Sequence, residues 1–148
     1  MSTNRWMLVV LMIGALGLPA CTRTSAGPAA KDEPAKVEAI AGTDLHRLTL
    51  VPKAAERLGI QTAPVREEAL PGSATKRKVI PYSAVLYDAH GDTWTYTNPE
   101  RLVYVRHHIK IERIEGDRAI LSEGPPAGTA VVTVAASELF GTEFEVGH

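Results

Sequence analysis

The chain has one cysteine, Cys21, so it cannot close an intrachain disulfide. Its three methionines all fall at or before Met12, which leaves the rest without the soft sulfur ligands that Cu(I) favours. No apolar run is long enough for a membrane helix. The longest, Trp6 to Leu18, falls well short of the roughly 20 residues a span needs. Charge of one sign is missing too: 16 Lys and Arg stand against 17 Asp and Glu, which excludes the basic footprint of a nucleic-acid binder. There is no G-x-S-x-G elbow, H-E-x-x-H pair, G-x-x-x-x-G-K-[ST] loop or G-x-G-x-x-G turn. Enzymatic function is therefore not expected.

What is present begins with a targeting signature. Arg5 supplies a basic start, the apolar run follows, and Leu18-Pro19-Ala20-Cys21 closes it. Length and flanks fit a secretory signal segment over 1–20. The Leu-x-small-Cys ending resembles the bacterial lipobox, with Pro19 an uncommon residue at its middle position. That resemblance implies cleavage before Cys21, acylation of its thiol, and membrane lipid as a partner of the mature chain. Each buried CH₂ of the acyl chains would contribute about 0.8 kcal/mol to anchoring. The expected location is the cell envelope, extracytoplasmic and lipid-anchored. Thr22 stands where an aspartate would act as an inner-membrane retention signal in some bacteria.

The stretch to Gly42 is rich in Ala, Pro, Ser, Gly and charge without apolar periodicity, so residues 21–43 read as a flexible tether and 44–148 as the folded domain. Leu48 to Val51 has strand composition. Pro52 can open a helix, and Gly59 can close it. Ile60 to Val65 is extended again, with Pro64 pointing to a sheet edge. From Val79 the pattern is β-rich. Asp88 to Asp92 is a turn, and Thr93 to Thr97 alternates Trp94 and Tyr96 against threonines until Asn98-Pro99. Leu102 to Val105 and Ile109 to Glu112 read as strands. Glu115-Gly116-Asp117 reads as a tight turn into Arg118 to Leu121. A Gly124-to-Gly128 loop precedes Thr129 to Val134, and Ser137 to Gly141 forms a helical turn. About seven strands with one or two helical turns predict a mainly β fold, a small β-barrel or sandwich-like domain.

Three segments of this β-rich part resemble the periplasmic adaptor subunits, or membrane fusion proteins, of RND-type tripartite efflux systems. Ala54 to Val65 (AAERLGIQTAPV) is similar to a short helix leading into a GI-x-T-x-x-V strand. Val79 to Val85 (VIPYSAV) is similar to V-P-x-x-A-V. Ile109 to Val134 is similar to a V-x-V-x-x-I-x-G-x-x-A-x-L-x-x-G-P-x-x-G-x-x-V-V run, followed by Ser137 to Glu143 as an A-x-E-L-x-G-x-E ending. Ala135 and Ala136 stand where many adaptors carry a glycine. A complete adaptor also has a biotinyl-lipoyl-like domain and usually a long helical hairpin, whereas only the tether precedes the barrel-like part here. The resemblance therefore implies an adaptor cut down to its membrane-proximal part. It would be an accessory subunit or a gene remnant, with an efflux transporter or a full-length adaptor as partner.

A metal-binding or small-ligand lipoprotein is the alternative. His107 and His108 are adjacent, so in a strand their rings point to opposite faces. His46, His90 and His148 fall in loops or at ends, and solvated surface histidines are the expectation, with no metal or other cofactor. Ser83, His90 and Asp88 lie near one another in sequence without a motif that would make them a triad. Tyr82, Tyr87, Trp94, Tyr96 and Tyr104 are expected to fill the core, or else to offer an aromatic contact to a transporter.

Overall fold

A computed structural model describes residues 33–72 and 75–145. The signal segment, Cys21, His148 and most of the tether lie outside these residues. The elements, in order, are β1 Ala35–Ala39, β2 His46–Leu50, α1 Pro52–Leu58, β3 Gln61–Pro64, β4 Arg66–Ala69 and β5 Lys76–Pro81. A 3-10 turn follows at Tyr82–Ala84. Then come β6 Leu86–Tyr87, β7 Thr93–Glu100, β8 Val103–His108, β9 Lys110–Glu115, β10 Arg118–Glu123, β11 Ala130–Val134 and α2 Ala136–Glu143.

The strands form two antiparallel sheets. The larger runs β1-β2-β8-β7-β11-β3, with β6 beside β7; the smaller runs β4-β5-β10-β9. Both remain open at their edges, so the domain is a two-sheet sandwich, not a closed barrel. Pro64 ends the large sheet on its edge strand, where its missing N–H leaves no ladder bond unmade.

The central strands of the large sheet are covered on both faces. Leu48, Leu50, Tyr96, Tyr104 and Val132 face α1 and α2 and pack with Leu139 and Ala136. Val131, one residue along, belongs to the opposite layer with Val65, Ile80, Ala84, Ile109, Ala119 and Leu121, between the two sheets. Directly opposed residues share a face, and Val131 opposes Thr97, so the threonines of β7 face the smaller sheet. Thr93 and Thr97 give their hydroxyls to the carbonyls of Ile109 and Val105, while buried Thr95 has no partner for its own.

Local chemistry explains the helices. Pro52 opens α1, and Gly59 closes it at φ +61, its amide returning to the carbonyls of Ala55 and Glu56. α2 starts differently: Ala135 adopts φ +69, the left-handed conformation that glycine takes without cost.

The structure corrects several sequence expectations. Eleven strands are described instead of about seven. β1 takes residues 35–39 out of the expected tether and pairs them with β2 from Ala35↔Leu50 to Ala39↔His46. Its side chains are mostly exposed, so backbone bonds hold it and no apolar pattern announces it. β4 was missed for the same reason. Asn98-Pro99 does not end β7; the strand runs to Glu100 through a register shift, and the Asn98 amide donates to the carbonyls of Glu100 and Val103. α2 makes two turns, not one.

Candidate functional site

The densest polar chemistry among the described residues lies between the large sheet and α2. The ladders place it there: Tyr96 opposes Arg106, Trp94 opposes His108, and Leu48 opposes Tyr104, so all six share the helix face. Glu143 reaches this face from the last turn of α2, four residues beyond buried Leu139. Its carboxylate is fully covered. It accepts from Arg106 Nε at 3.2 Å, from the Tyr96 hydroxyl, and lies 3.2 Å from His46 Nδ1.

The Arg106 guanidinium is held by more than its counter-charge. It lies 4.1 Å from the Trp94 ring centre, 4.9 Å from Phe144 and 5.9 Å from Phe140, within the range of cation–π attraction. His108 meets Trp94 edge-on at 5.1 Å, and His46 meets Phe144 edge-on at 6.4 Å. Burial, and then donation to Glu143, hold the Tyr96 hydroxyl protonated far above the ordinary tyrosine range. An anion with three neighbours of donor type, inside an aromatic wall, fastens α2 to the sheet.

His107 points the other way, towards the space between the sheets, so the two adjacent histidines sit on opposite faces as their spacing predicts. Burial lowers its proton affinity, and nearby Lys78 and His108 lower it further. Lys78 is engaged, donating to the Gly124 carbonyl at 2.6 Å. Among the described residues no three His, Cys, Asp or Glu side chains converge as ligands for a metal ion. His90 is exposed in the β6–β7 turn.

Ser83, His90 and Asp88 are not arranged as a relay. Asp88 Oδ1 accepts the backbone amides of His90 and Asp92, and Oδ2 accepts the Trp94 indole at 2.9 Å. That indole bond, aided by the two amides, holds the Asp88 carboxyl below the usual carboxylate range. Its task is to close the turn and hold Trp94.

The five aromatics divide. Tyr96 and Tyr104 fill the core and Trp94 walls Arg106, as core filling predicts. Tyr82 and Tyr87 do not: they are 40% and 53% exposed. A hydrogen bond between them raises the Tyr87 value. Sequence reasoning missed Glu143. Its signal was present, since Leu139, Phe140 and Glu143 lie on one side of a helix, but its partners are 37 to 97 residues away in the chain.

No helix among the described residues is long and apolar enough to cross a membrane. No family model matches the chain, and no curated protein matches it. Among solved structures it is similar to an NMR structure of the N-terminal metal-binding site and membrane proximal domain of SilB from Cupriavidus metallidurans CH34. Identity is 19%, TM-score 0.44, and the overlap covers 76% of this chain and 71% of that one.

Proposed function

We propose that this chain is a non-enzymatic, lipid-anchored envelope protein whose folded part is the membrane-proximal domain of an efflux adaptor, docking on a membrane transporter. The reading is carried by the way the three adaptor-like segments meet in space. The strand of the first, β3, pairs with β11 at the end of the third, from Ala130↔Pro64 to Val134↔Gln61. The strand of the second, β5, pairs with β10 inside the third, from Arg118↔Pro81 to Leu121↔Lys78. Segments spread over some 80 residues thus build one pair of sheets, as parts of a single inherited domain would. The lipobox-like ending at Cys21 supports the anchor. Exposed Tyr82 and Tyr87 supply rings of the type enriched in interface cores.

Crosslinked pull-down of the tagged protein from native membranes, read by mass spectrometry beside a Cys21→Ser control, tests this. Enrichment of an efflux transporter or full-length adaptor, reduced in the control and by Tyr87→Ala, is the expected result. A preparation without either partner overturns it.

A further inference from the structure

β9 is the outer strand of the smaller sheet, pairing among the described residues with β10 alone. Such an edge leaves half of its backbone groups free, and natural edges usually carry features that spoil pairing with another edge. This one carries such charges, four in the six residues Lys110-Ile111-Glu112-Arg113-Ile114-Glu115, but their order makes them complementary to a second copy of the same strand. Laid antiparallel on itself about a two-fold axis, it sets Lys110 against Glu115, Ile111 against Ile114 and Glu112 against Arg113. Every charge meets its opposite, and isoleucine meets isoleucine. We propose that β9 is a self-association edge, by which two copies of this chain join their smaller sheets into one continuous sheet.

The local geometry suits this register. In the ladder with β10, Ile120 opposes Arg113 and Leu121 opposes Ile111, which leaves Glu112 as a bulge residue. The bulge turns Ile111 and Ile114 to the same face, with Ile111 packed against the inter-sheet core and Ile114 opposite buried Ala119. Ile114 is nonetheless 44% exposed. In the paired form Ile111 of one copy lies beside Ile114 of the other on one face. The outward charges lie beside their complements on the opposite face. Within one copy these charges pair with near neighbours: Arg113 with Glu112 at 2.9 Å and with Glu115 at 2.7 Å, Lys110 with Glu123 at 3.5 Å. Glu112 also meets Arg77 at 2.9 Å, and Glu115 meets Arg118 at 3.2 Å. All are solvent-accessible pairs, of the kind that exchange partners at modest cost. This inference stands apart from the adaptor reading; it uses only the edge and its sequence.

The test uses the full chain carrying Cys21→Ser, so that neither acyl groups nor a thiol can join copies. Sedimentation over about 10 μM to 1 mM follows association, since a small interface of this type binds weakly. Arg113→Glu and Glu112→Arg are made separately, and thermal melts of each check that it folds. Each variant places like charges opposite each other twice per dimer, and association weakens about tenfold or more. An equimolar mixture of the two restores opposite charges at both places, and the dimer returns. A folding defect in either variant would not be repaired by mixing. The proposal is overturned if the parent chain stays monomeric across the range. It is equally overturned if the single variants associate like the parent, or if the mixture associates no better than its components.

Discussion

Arg106 Nε stands 3.2 Å from Glu143 Oε1, with the guanidinium 7% exposed and the carboxylate not exposed at all. This is a buried ion pair joining the centre of the large sheet to a helix 37 residues further along the chain. Burying both charges is costly, and the cost is met only while each keeps its partner. Glu143→Gln is expected to lower unfolding stability by about 3–5 kcal/mol, because it leaves the guanidinium covered and unpaired. The double variant Arg106→Met with Glu143→Leu is expected to lose less than Glu143→Gln alone. Urea denaturation of the parent chain and these variants checks both.

The Tyr96 hydroxyl gives this centre an alkaline signature. Its proton is held above the ordinary tyrosine value of 10.0 by burial and by Glu143. Past that pH the unfolded chain loses this proton while the folded chain keeps it, so the folded state holds the more protons and stability falls as pH rises. The stabilisation is complete below about pH 10 and declines above it, by about 1.4 kcal/mol per pH unit for one proton. Tyr96→Phe should flatten that slope. At neutral pH it should cost about 1–3 kcal/mol, since the covered carboxylate loses a donor. Thermal melts from pH 8 to 11 compare the two chains.

His107 carries the opposite sign. Burial, and then Lys78 and His108, hold its proton affinity below the ordinary value of 6.5. As pH falls through 6.5 the unfolded chain takes up a proton that the folded chain resists, so its contribution destabilises on the acid side. NMR titration of the imidazole should give a midpoint below 6.5, moving upward in Lys78→Met. A midpoint unmoved by that change would exclude Lys78 as a cause.

Two left-handed positions call for opposite substitutions. Gly59 at φ +61 caps α1, with open space where a Cβ would stand, so Gly59→Ala costs about 1 kcal/mol from backbone strain alone. Ala135 at φ +69 already bears that strain, and Ala135→Gly should raise stability by up to about 1 kcal/mol. Chemical denaturation of the two variants should move the midpoint in opposite directions.

The contrast between these elements shows what the sequence could reveal. α1 was legible because proline and glycine mark its two ends within eight residues. β7 was legible from Thr93 to Thr97, where aromatics and threonines alternate, but not in its last three residues, which carry no such pattern. β1 and β4 were not, since they are edge strands whose exposed side chains carry little pattern and whose order comes from neighbouring backbones. The mainly β class followed from the many short alternating runs. The open sandwich did not, because closure depends on how edges meet in space. Trp94 could be placed on one face of a strand, but its bond to Asp88 could not be read from alternation. Nor could the gathering of His46, Tyr96, Arg106 and Glu143, because local periodicity says nothing about contacts between distant segments.

The position of Glu143 also sets an order on assembly during synthesis. A ribosome delivers His46, then Tyr96, then Arg106, and only later the carboxylate that they surround. Until it arrives, the strands can pair, but the face that carries Arg106 must stay wet, since a guanidinium without its anion will not leave water. A chain arrested before residue 143 would therefore have most of its ladders and an unfinished, hydrated flank that proteases can reach.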